Sequence, residues 1–169
     1  MSTSVFAGLF ARQNSLRLLH QGRDQLLARL KDQDLQGTAL RLSFLDEYRQ
    51  AVLESSIFAH EGRHAIDKLG WLSFLSSDAT TEFNAKLSEV AFAPEPRLAL
   101  GAIFSNTIGS HTPHGQANQQ IMKGLVGWMK EHSHEIPRMD HDRPLLPQFD
   151  LLSDAQIRSA FQSLDPMAR

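Results

Sequence analysis

A helical apolar period runs almost unbroken from Thr38 to Leu69, and a metal-ligand pattern lies near its end. Leu40, Leu42, Phe44, Leu45, Val52 and Ile57 recur through it. Apolar residues at three- and four-residue intervals build a helix rather than a strand. Within that period stands His60-Glu61-Gly62-Arg63-His64. Residues four apart on a helix share a face, one turn from each other. His60 and His64 can therefore aim two ring nitrogens at one ion. Zn2+ suits such a pair, because it accepts imidazole in a tetrahedral shell and in catalytic sites keeps one position for water. Glu61 stands beside the first ligand, placed to take a proton from that water. Leu53, Ile57 and Phe58 precede the pattern, and Ala65, Ile66 and Leu69 follow it. A helix so apolar is packed on more than one side, and polar groups held there need partners, of which a metal is one.

A third protein ligand is available in the segment Thr81 to Phe92. Glu82 and Glu89 are seven residues apart, about two helical turns, so both carboxylates face the same way. Spacing alone leaves the choice between them open. Asp67 has two readings of equal weight. It orients a ligand imidazole, as carboxylates around metal sites do, or it pairs with Arg63 one turn back.

His60-Glu61-Gly62-Arg63-His64-Ala65-Ile66-Asp67 resembles the H-E-x-x-H-A-[VI]-D of two gluzincin zinc peptidase groups, the lethal-factor-type catalytic domains and the Mlc-titration-factor-type peptidases. Their third ligand is a glutamate on a later helix that reads E-F-F-A, often followed by S-E. Here that helix reads Glu82-Phe83-Asn84-Ala85, then Ser88-Glu89. The resemblance spans Ala59 to Pro94. It implies that Glu82 is the ligand and that Glu89 is a supporting or structural carboxylate. It also implies a peptide or protein substrate. Those families have an edge strand just before the motif helix and a tyrosine seven residues before the third ligand. Here the residues before His60 are helical in period and the tyrosine position is Leu75. The oxyanion donor would then come from His111 or His114, in the loop Gly109 to Gly115.

The remaining chain reads as helices. Periodicity and punctuation predict helices over 15–31, 38–69 (one very long helix or two in line), 79–93, 97–108, 117–131 and 154–164, the last opened by a capping box at Ser153-x-x-Gln156. Ser76, Ser77 or Asp78 caps the third of these, Gly70 stops the second, and residues 138–150 form an extended arm. The expected fold is a mainly α, single-domain helical bundle with little or no β-sheet, or one part of a longer protein. With 169 residues it can bury one substantial core. The absence of cysteine removes disulfides and thiolate ligands. A net charge of −2 offers no basic footprint for nucleic acid. No apolar run has the length of a membrane span, and Met1 to Phe10 is too short and uncharged for a secretory signal.

Three functions compete. The first is a zinc-dependent hydrolase with Glu61 as general base. The second is a helical interaction domain with a metal site that has lost catalysis. The third is a di-iron carboxylate bundle, using Glu61-x-x-His64 and Glu131-x-x-His134 with Glu54 and Glu82 or Glu89 as single carboxylates.

Overall fold

The computed structural model describes residues 3–69, 77–105 and 111–168. Among the described residues seven α-helices order as α1 (Thr3–Lys31), α2 (Gly37–Val52), α3 (His60–Leu69), α4 (Asp78–Ala91), α5 (Pro96–Ser105), α6 (Pro113–Glu131) and α7 (Asp154–Leu164). No strand occurs among the described residues, and the chain is a mainly α single domain. The connector Trp71 to Leu75, the expected stop at Gly70 and the first part of the Gly109 loop lie outside the described residues.

Helix α4 is the spine. Nine of its fourteen residues are buried, and it touches α3, α5, α6 and α7. Phe83, Leu87 and Val90 enter the main core with Leu100, Phe104, Ile121, Leu125, Phe149 and Phe161. Its other face carries Glu82, Lys86 and Glu89, all buried. Charged groups in such a place require charged or coordinating partners, and α3 lies over them. Ser77 caps the start of α4 by accepting from the Thr80 N–H at 3.2 Å.

Helices α1 and α5 pack closely. A Cβ on Gly22 would meet Leu98 at 2.8 Å, and one on Gly101 would meet Leu19 at 2.8 Å. Ser15 donates to the Gly101 carbonyl across this contact, at 2.8 Å. The capping box at the start of α7 is complete, with the Ser153 side chain bound by the Gln156 N–H and the Gln156 side chain by the Ser153 N–H.

Several boundaries differ from the periodicity. Helix α1 begins near Thr3, not 15, and α6 begins at Pro113, not 117. Thr112 caps α6, so His114 stands in its first turn and not in a loop. The expected arm 138–150 includes the start of a 3-10 helix, Leu146–Leu151. Most consequential, the expected helix 38–69 is interrupted. Leu53–Ala59 is π-helical. A π turn holds more residues than an α turn, so seven residues lag by roughly a third of a turn. An unbroken α-helix would set His60 close to the exposed face of Leu45; the lag turns it toward α4. Ser55 supports the distortion by bonding back to the Ala51 carbonyl at 2.8 Å, a contact that bends helices.

Candidate metal centre

Helices α3 and α4 run antiparallel at the site, as the pairs Ser56–Glu89, Arg63–Ser88 and Asp67–Asn84 show. Arg63 fixes the register. It is buried and binds Asp165 with two bonds of 2.7 and 3.1 Å, Asp67 at 2.8 Å and Ser88 at 3.2 Å. Burial alone would lower the Arg63 pKa; its bonds to Asp165 and Asp67 outweigh that and raise it. Of the two readings of Asp67, the Arg63 pair is the one formed, and the other Asp67 oxygen accepts from Asn84 at 3.2 Å.

This register brings His60, His64 and Glu82 together, with one ligand atom from each lying within 4.8 Å of the others. The two Nε2 atoms are 3.2 Å apart. His60 Nε2 lies 3.5 Å from Glu82 Oε1, and His64 Nε2 lies 3.6 Å from Glu82 Oε2. Zinc with bonds of about 2.0–2.1 Å has tetrahedron edges of about 3.3–3.4 Å. The separations are close to such edges, with each ring meeting a different oxygen of Glu82. Two imidazole lone pairs at this separation repel unless a proton or a cation lies between them.

Glu89 reaches past the cluster to the other side of His60. Its Oε2 is 3.0 Å from His60 Nδ1, and its Oε1 accepts from Ser56 at 3.1 Å. A carboxylate accepts only, so Nδ1 carries the proton and Nε2 is left for the cluster in the neutral ring. Burial pulls the His60 pKa down, but the Glu89 hydrogen bond and the charges of Glu89 and Glu82 outweigh it, with Lys86 opposing them. The net shift is upward from 6.5.

Glu82 has three further neighbours or features that decide its role. Lys86, one turn on, places Nζ 3.6 Å from Oε1. His114 places Nδ1 2.6 Å from the same oxygen, although its ring is largely exposed. That approach is not aligned as a hydrogen bond, and Oε1 is buried without a donor. A buried carboxylate oxygen with no aligned donor, beside ring nitrogens and the Lys86 ammonium, is suited to positive charge.

Glu61 is exposed and makes no polar contact among the described residues. His111 is exposed. The position of Leu75 lies outside the described residues. Lys86 and Ser56 escaped the sequence reading, although Lys86 is one turn from Glu82 and shares its face. The di-iron set does not assemble. Glu54 binds Gln50 at 2.7 Å, and His134 pairs with Glu135 at 3.4 Å on an exposed 3-10 turn after α6. No helix of the described residues is long and apolar enough to cross a membrane. No family model, curated protein or solved structure matches the chain.

Proposed function

We propose that the chain is a zinc-dependent hydrolase of the gluzincin kind, acting on the peptide bonds of a peptide or protein. The observation that carries this reading is the convergence of His60, His64 and Glu82, with one ligand atom from each lying within 4.8 Å of the others. His60, His64 and Glu82 would hold the ion, and zinc bound there supplies a Lewis acid toward water and a carbonyl oxygen. Three protein ligands leave a position open, as catalytic sites do. Glu61 follows His60 and is turned by about 100° around the helix. It is exposed and unpaired, free to accept a proton from water and to return it to the leaving amine. Lys86 and His114 flank Glu82 and are the candidate donors to a developing oxyanion. Glu89 and Ser56 hold the His60 ring.

Glu61→Gln separates binding from chemistry. It keeps the shape but cannot take a proton. Bound metal should stay near its native level, while hydrolysis of an unstructured protein substrate falls by about 10²–10⁴-fold. Loss of the metal would make Glu61 a ligand. Undiminished hydrolysis would remove it from the mechanism.

One observation favours a second reading, a helical metal-binding domain without turnover. No strand among the described residues precedes α3, so an extended peptide finds no sheet edge there to pair with. A metal-loaded protein that hydrolyses no peptide across a broad library would support it.

A further inference from the structure

Helix α2 is exposed on a face that its sequence makes apolar. Only Ala51 in it is buried. Leu42, Leu45, Tyr48, Val52 and the adjoining Leu53 are 38–59% exposed. At 100° per residue Leu45 and Val52 centre this stripe, with Leu42 and Leu53 on one flank and Tyr48 on the other. Contiguous apolar surface of this kind marks an interaction site. Its charges suggest the partner. Asp46 and Arg49 lie on the same flank as Leu42 and Leu53, both are exposed, and neither makes an ion pair among the described residues. Glu47 is engaged with Arg29 at 2.7 Å and Glu54 with Gln50, and Arg41, exposed and without an ion pair among the described residues, lies at the N-terminal end of the stripe.

We infer that α2 pairs antiparallel with α2 of a second copy of this chain, about a two-fold axis beside Tyr48. Two-fold pairing requires a face that complements itself, with residue i on j and j on i. The axis sets Leu42 against Leu53 of the other copy and Leu45 against Val52 of the other copy. The same operation sets Asp46 against Arg49 of the other copy, twice over. The same sequence positions thus satisfy both the apolar and the charged matches. A parallel two-fold arrangement would set this flank against the Tyr48 flank of the other copy, and the match of Asp46 with Arg49 would be lost. Five large side chains and the polar residues between them come to roughly 600 Å² per copy, the low end of a specific interface. This inference does not depend on the metal.

Sedimentation velocity of the full chain over a concentration series tests it. The mass should rise from 18.9 kDa toward twice that value. Leu45→Glu should hold the protein at the lower mass with an unchanged helical circular dichroism spectrum. Asp46→Arg and Arg49→Asp each turn two attractions into two repulsions and should each weaken association by about tenfold or more. The double variant Asp46→Arg/Arg49→Asp restores both pairs and should dimerise like the native chain. A native chain that stays at 18.9 kDa at every concentration overturns the inference. So does a dimer indifferent to Leu45→Glu, or a double variant no better than the two singles.

Discussion

Glu82 and Glu89 are identical in type, and geometry divides their work. Glu82 faces the Nε2 pair, while Glu89 holds the Nδ1 side of His60. Glu82→Ala should therefore lose most of the bound metal. Glu89→Gln should keep the metal with affinity lower by about 10–100-fold, the usual cost of losing the partner that orients a ligand imidazole. Competition with a chromogenic chelator reads both, and the opposite ranking would exchange their roles. His60 also sets a pH dependence. In the metal-free protein its pKa is raised above 6.5 because Glu89 and Glu82 outweigh burial. The stability this contributes is full below the unfolded value and is lost as pH rises through the folded one. The metal-free protein should lose stability as pH rises above 6.5, and Glu89→Gln should flatten that slope. Metal binding has the reverse dependence, because a ligand imidazole must be neutral. An NMR titration placing the His60 ring at or below 6.5 would contradict the account.

At the level of elements, the residues that carry the site were legible in the sequence because each pattern is local. The four-residue step from His60 to His64 and the two-turn step from Glu82 to Glu89 need only helical geometry. The start of α7 follows from its capping box. The π-helical stretch was not legible, since the apolar period continues through Leu53 and Ile57 while the backbone winding changes beneath it. It decides which face of the long helix meets α4, and so it decides where His60 points. The loop expected over Gly109 to Gly115 ends sooner, because Pro113 follows the Thr112 cap and opens the helix, where proline is favoured, and so His114 stands in the first turn. The close contact of α1 and α5 likewise depends on tertiary packing. Gly101→Val should force Leu19 and the Ser15 carbonyl apart and cost about 1–3 kcal/mol in urea unfolding. A variant as stable as the native chain would show that the contact relaxes freely.

In the whole molecule α3 is tied to the segment after α7 by one buried pair, Arg63 with Asp165. Asp165→Ala leaves a buried guanidinium short of its partner and should cost about 3–5 kcal/mol, read by thermal or urea unfolding. A cost below 1 kcal/mol would mean that Asp67 and Ser88 suffice to hold Arg63. The rest of the fold exists to present α4 with one face in the core and the other against α3, and the centre between them is the claim on which the function rests. Elemental analysis of protein purified without a metal-affinity tag and equilibrated with zinc tests that claim most directly. The expected result is close to one zinc per chain, falling to near zero in His64→Ala while the helical circular dichroism spectrum is kept. Two irons per chain, or a His64→Ala variant that retains its zinc, would contradict it.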